Sequence, residues 1–241
     1  MKLAFLGAAL LTVGQWAFAT EAGRKDEKYY TIQAPVITLV DKAQHDLGLF
    51  SEGIGKESCG SRVMPNNQNN SMDPIDEVDV IIDKIINLGK KVWAVIEQGR
   101  PVVNLKSDIA TALPEGAKCW SSLTRWKNPD SQTFKVTFKN GYGTEVVSFE
   151  YRIIYLHSGE VNGKGKYIGY ATAVPANIRV LFGFNLNVNT VVPTVYNTGT
   201  SSNPVAGMQM DLKWQLSTIA SENRGAVSYV IEGNGGFKRL K

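Results

Sequence analysis

The chain has 241 residues, of which 43% are hydrophobic and 20% charged, with a formal net charge of +4. That length supports one sizeable core or two small ones, and the composition is ordinary for a globular protein. The mild charge, with basic residues dispersed and not interleaved with aromatics, speaks against nucleic acid as a partner.

The N-terminus reads as a secretory signal peptide over residues 1–19. Lys2 gives the positive start, Leu3 to Trp16 the short apolar run, and Ala17-Phe18-Ala19 the small-x-small cleavage pattern before Thr20. The expected compartment is extracytoplasmic, either periplasmic or secreted. No further apolar run is long enough for a membrane-spanning helix, so no permanent span is expected. Cys59 and Cys119 are the two cysteines. In an oxidising compartment they are expected to form a disulfide, closing a loop of about 60 residues and contributing up to about 4 kcal/mol.

Residues 20–72 read as a weakly patterned arm and linker. Tyr29 to Val40 has strand-forming composition interrupted by Pro35, and Pro65 to Ser71 is wholly polar after its proline. A single helix-plus-β domain is then expected over 73–241. Its helix spans 73–88. Asp73 is the N-cap, Pro74 opens the first turn, and Ile75, Val78, Ile82 and Ile85 form a stripe widened by Ile81 and Leu88. Gly89 with Lys90 and Lys91 marks the stop. Val92 to Ile96 either prolongs the helix or starts a strand. Gly99-Arg100-Pro101 is a turn, Pro101 to Leu105 a short strand, and Lys106 to Leu113 a helical turn.

From Gln132 the period changes to two. Phe134, Val136 and Phe138 alternate with Lys135, Thr137 and Lys139, and Asn140-Gly141 turns the chain. Thr144 to His157 carries Val147, Phe149, Tyr151, Ile153 and Tyr155 on one face and a mixed set on the other. Asn162-Gly163 turns into Lys166 to Val174, and Pro175-Ala176-Asn177 is read as a break. Ile178 to Asn189 alternates next, followed by a loop over 191–204. Met208 to Leu216 and Ala226 to Glu232 complete about six strands before a basic tail. Successive strands with no intervening helices pair antiparallel. The expected fold is mainly β (α+β): an antiparallel β-sandwich or twisted meander of about six C-terminal strands, with the N-terminal amphipathic helix packed on it.

Residues able to carry chemistry are few. His45 sits beside Asp46 in an unplaced region, and His157, ending a strand beside a Ser158-Gly159 turn, reads as a surface residue. No metal-ligand spacing, nucleophile elbow or phosphate loop occurs, so neither a metal, a cofactor nor a catalytic residue is assigned. Asp73, Asp76, Glu77, Asp79 and Asp83 read as a solvated helix face. Tyr151 and Tyr155 share a face with Phe149 and Ile153 and are expected in the core. Tyr142, Tyr167 and Tyr170 are candidate ligand-stacking rings, and Asn185, Asn187 and Asn189 form a polar ladder that could line a wet groove.

The reading that follows is an exported, non-catalytic β-domain binding an envelope or extracellular component: a glycan, a lipid or an envelope protein. Two alternatives stay open. One is a membrane-active hairpin built from 178–216, whose strands are long enough to cross a bilayer. The other is a hydrolase using carboxylates such as Glu145, Glu150 or Asp211, which would need two of them facing one cleft.

Overall fold

The computed structural model describes residues 27–44, 80–105 and 107–240. The expected signal peptide, His45, Cys59, the polar run at 65–71 and the helix start at Asp73 lie outside these residues.

Thirteen strands occur among the described residues: β1 (Val36–Gln44), β2 (Ile81–Ile86), β3 (Val92–Glu97), β4 (Arg100–Pro101), β5 (Ala110–Glu115), β6 (Asp130–Lys139), β7 (Glu145–Leu156), β8 (Gly159–Val161), β9 (Lys164–Val180), β10 (Asn185–Asn197), β11 (Ala206–Ser217), β12 (Glu222–Glu232) and β13 (Phe237–Arg239). They form two antiparallel sheets. One runs β1-β6-β7-β9-β5-β2, with β8 added alongside β9, and the other runs β13-β12-β11-β10-β3-β4.

Clean alternation explains the core. Phe134, Val136 and Phe138 of β6 and Phe149, Tyr151 and Ile153 of β7 join Leu186, Val188, Met208, Met210, Leu212, Tyr229 and Ile231 of the other sheet in one apolar cluster. The Phe134 and Tyr229 rings lie 4.8 Å apart, and the Tyr151 and Tyr229 hydroxyls hydrogen-bond to each other. The mixed outer face of β7 has its own cover. Ile154, Leu156, Ile109 and Tyr170 form a second apolar cluster, against which Trp120 and Trp126 pack.

The expected helix is corrected. Its described part, from Ile81 onward, is strand β2. Four of its six residues are isoleucines, which lose side-chain freedom in a helix and suit a pleated surface. The three-residue step from Ile82 to Ile85 has a different origin: the β2–β5 register shifts between Ile81 and Ile85. A bulge of this kind turns residues an odd number of positions apart toward the same side and imitates helical spacing. The helical turn expected over 106–113 is likewise replaced. The Asp108 carboxylate accepts the Asn104 N–H at 2.7 Å, and Ala110 begins β5.

Other boundaries move for similar reasons. β1 draws residues 36–44 of the arm into the first sheet, starting just after Pro35 and pairing with β6. β9 runs through Pro175, which sits at a register shift opposite Tyr151 and beyond the last β5 partner at Ala171, so its missing N–H breaks no ladder on that side. The real break comes at 181–184, where Gly183 takes φ +85°. β10 continues into the expected loop as far as Asn197, with a register shift between Val191 and Thr194 accommodating Pro193. Val92–Glu97 is strand. Two aromatic rings cover cross-strand glycines, Trp214 over Gly225 and Tyr196 over Gly207; a Cβ at either glycine would lie within 2.5 Å of the ring.

Candidate functional site

Strand register places four turns at the same end of the two sheets: 98–99, 140–144, 181–184 and 218–221. The Asn140 turn is longer than a two-residue hairpin. Asn140 Oδ1 accepts the N–H groups of Tyr142 and Thr144, both at 3.0 Å, and the positive φ falls on Gly143.

A helical turn at 27–30 stitches three of these turns together. The Gly141 N–H donates to the Lys28 carbonyl at 3.0 Å. The Tyr29 hydroxyl donates to the Phe182 carbonyl at 3.4 Å, and the Thr218 hydroxyl to the Tyr30 carbonyl at 2.9 Å. Ser221 donates to that same Tyr30 carbonyl. Gly183 lets the second turn approach Tyr30 closely, since a Cβ there would fall 2.6 Å from the ring.

Leu181 and Phe184 pack into the core, but three other large side chains on these turns point outward. Phe182 is 91% exposed, Ile219 85% and Tyr142 51%. The Lys28 ammonium lies 5.9 Å from the centre of the Tyr142 ring, within cation–π reach. Residues 141–144, 181–184 and 218–221 contain no charged side chain; charge resumes at Lys139, Glu145, Arg179 and Glu222.

Among the candidate stacking rings only Tyr142 reaches this surface. Tyr167 is fully buried, its hydroxyl donates to the Ile82 carbonyl at 2.6 Å, and burial pushes its pKa up to about 12. Tyr170 is also buried, which raises its pKa, and its hydroxyl has no partner among the described residues. Both are core residues. A strand-alternation signal cannot tell such rings from surface ones when both faces of a strand are covered. Tyr151 and Tyr155 are core residues too.

The asparagine ladder lies on the outer face of β10. Asn185 and Asn189 are exposed and face Ser217 and Lys213 across the ladder. Asn187 Oδ1 accepts the Gln98 N–H at 2.9 Å, so it holds the 98–99 turn in place. Asn197 does a similar job that periodicity did not reveal: its Oδ1 accepts the N–H groups of Gly199 and Val205 at 2.8 and 3.0 Å.

The carboxylates do not converge. Glu150 accepts from the Asn177 amide at 2.6 Å on the outer side of the first sheet. Asp211 alternates with buried Met210 and Leu212 on the outer side of the second. Glu145 faces Lys139 at the turn end. The 178–216 segment is not a free hairpin either. β10 and β11 are interior strands, bonded on their outer flanks to β3 and β12.

His157 departs from the surface reading. It is 4% exposed and hydrogen-bonded at both ring nitrogens, Nδ1 to Ser158 Oγ at 2.9 Å and Nε2 to Asp130 at 3.2 Å. Burial lowers its pKa, and the Asp130 carboxylate partly offsets that. Ser158 takes φ +71°, is itself buried, and donates its N–H to the Gly233 carbonyl at 2.8 Å. This hydroxyl–imidazole–carboxylate row therefore locks a turn beneath the surface. Beside it, Glu160 is paired with Lys166 and, at 3.2 Å, with Arg125; the Lys166 hydrogen bond leads in holding its pKa below the ordinary value.

Among the described residues no group of three or more His, Cys, Asp or Glu is placed to hold a metal ion, and no helix is long and apolar enough to cross a membrane. Neither a family model, a curated protein nor a solved structure matches the chain.

Proposed function

We propose that this chain is an exported, non-catalytic β-domain whose two sheets pack as a sandwich and whose turn end recognises an envelope or extracellular component. The observation that carries this reading is the outward display of Phe182, Ile219 and Tyr142 on three turns tied together by residues 27–30. Turns held by a rigid sheet framework are where binding side chains are usually presented, and large apolar groups gathered at one exposed end mark an interaction site. The signal-type start over residues 1–19 supports export. The Cys59–Cys119 bridge belongs to the same proposal: Cys119 is buried, and no described cysteine is a free thiol.

The test uses protein purified after export. Mass analysis before and after reduction is expected to give an N-terminus at Thr20 and a gain of two hydrogen atoms. The same protein is then passed over immobilised glycans, lipid vesicles and an envelope protein fraction. Retention on one class, weakened by polar substitutions at Phe182 and Ile219, is the expected result. Retention on none of them, or an N-terminus still carrying Met1–Ala19, overturns the reading.

A further inference from the structure

We infer that the turn end docks on the surface of a phospholipid bilayer, with Phe182 and Ile219 entering the acyl boundary and Tyr29, Tyr30 and Tyr142 lying at headgroup depth. This rests on the binding-domain reading above and names its ligand.

Four features select a bilayer over a sugar or a folded partner. The first is charge. Twelve residues in the three turns, 141–144, 181–184 and 218–221, contain no ionisable group apart from the Tyr142 phenol, in a chain that is 20% charged. A charge carried into hydrocarbon is heavily penalised, whereas a protein or anionic glycan surface is usually met with polar and charged groups. The second is shape. Phe182 and Ile219 stand nearly free at the tips of separate turns, leaving most of their surface to be removed from water. A fluid acyl layer closes around such projections; a rigid partner would need a matching hole for each.

The third is the ring of residues behind the tips. Tyr29, Tyr30 and Tyr142 combine an apolar body with a polar end, and Lys28 sits over the Tyr142 ring at 5.9 Å. Aromatic residues with a hydroxyl and lysines on flexible stems are the groups that settle at a membrane–water interface. The fourth is rigidity. The Lys28, Tyr29 and Tyr30 hydrogen bonds fix the three turns relative to one another before any contact, so docking orders little that is not already ordered.

The other end of the sheets supplies the internal contrast. Its turns present Asn162-Gly163-Lys164, Thr200 to Asn203 and Asn234 to Gly236, a set of polar and glycine residues. One end is thus fitted to hydrocarbon and the other to water, which fixes the orientation of the molecule on a membrane.

The experiment is co-sedimentation of the exported protein with vesicles of phosphatidylcholine, and of phosphatidylcholine mixed with phosphatidylglycerol. Binding to both is expected, with little change when salt is raised. Phe182→Ser and Ile219→Ser are each expected to weaken it about tenfold. Val92→Ser, an exposed apolar change elsewhere, leaves binding intact. A Phe182→Trp variant gives a second readout: its emission shifts to the blue on adding vesicles and is quenched by brominated acyl chains. Binding that appears only with phosphatidylglycerol and vanishes in salt, or that survives both serine substitutions, overturns the inference. Absence of vesicle binding by protein that is retained on glycans or envelope proteins overturns it while leaving the binding-domain reading in place. Retention on none of the three discards both.

Discussion

The two ends of the sheets hide opposite things. At the end tied together by residues 27–30, apolar side chains stand outside, on Phe182, Ile219 and Tyr142. At the other end polar groups are taken inside. His157, Ser158, Glu160 and Thr133 are buried, and the first three are paired with Asp130, Gly233, Lys166 and Arg125. Buried polar groups are tolerated only when partnered, so the second end is a cooperative lock whose members depend on one another. Exposed apolar groups on well-bonded turns depend on nothing in the chain itself. The exposed tips of the first end are therefore free to change without loss of fold, and the buried members of the second are not.

The sharpest way to break the second end is Gly233→Ala. A Cβ there would fall 2.0 Å from the Lys166 carbonyl oxygen, a backbone atom that cannot step aside alone. Gly233 also accepts the Ser158 N–H and donates to Ala206, so β9, β12 and the His157 turn must separate together. A loss of about 3 kcal/mol is expected by urea denaturation.

The middle of the molecule sets the next step on the scale. Tyr151 and Tyr229 are fully buried, one from each sheet, with their hydroxyls bonded to each other. Desolvation raises both phenols, Tyr229 to about 12. Tyr151→Phe or Tyr229→Phe leaves the other hydroxyl without its mate and costs about 1–2 kcal/mol; the double substitution costs less than the two together. Equal additivity in such a cycle would mean that the hydroxyl pair does not couple the sheets.

These contrasts also show what the residues declared in advance. Strict alternation from Phe134 to Phe138 and from Met208 to Leu216 announced the paired strands, because one face of each is buried and the other wet. Asn162-Gly163 was legible because both residues take positive φ. β2 was not, since its bulge imitates helical spacing until β5 is there to pair with it. His157 was not, because its burial comes from Asp130, 27 residues away, and from the turn at Gly235. Of the candidate site, Tyr142 was visible as a candidate stacking ring. Phe182 was hidden, because the alternation read from Ile178 to Asn189 runs straight through a turn that only Gly183 and Tyr30 reveal. Tyr167 and Tyr170 look the same in sequence whether or not a second layer covers them.

Acid distinguishes the ends next. The pKa of His157 is held below its ordinary value of 6.5 in the folded protein, chiefly by burial, while the unfolded chain titrates near that value. As pH falls through 6.5 the unfolded state takes up a proton that the folded state refuses, so stability declines until the folded pKa is passed. Glu160 and Glu222 are held below 4.5, so their contribution is lost only at lower pH, as the folded carboxylates protonate. The loss that begins near 6.5 is thus specific to the locked end. His157→Gln lowers stability at neutral pH, but its melting temperature stays flatter from pH 7 to about 5 than that of the parent. An unchanged slope would place the titrating group elsewhere.

The smallest effect belongs to the exposed tips. Phe182→Ser and Ile219→Ser remove side chains that contribute almost no buried area, so each should shift unfolding free energy by no more than about 0.5 kcal/mol. The hydroxyl-to-carbonyl bonds that hold these turns, from Tyr29 to the Phe182 carbonyl and from Thr218 to the Tyr30 carbonyl, do not involve the replaced atoms. Thermal melts of both variants should therefore overlay the parent, while solubility at high concentration rises as the apolar surface is removed. A melting temperature that falls by several degrees would instead mean that Phe182 and Ile219 support the 27–30 turn. That outcome would erase the division of labour between the two ends, because the outward apolar groups would then be structural in the same sense as the buried polar ones.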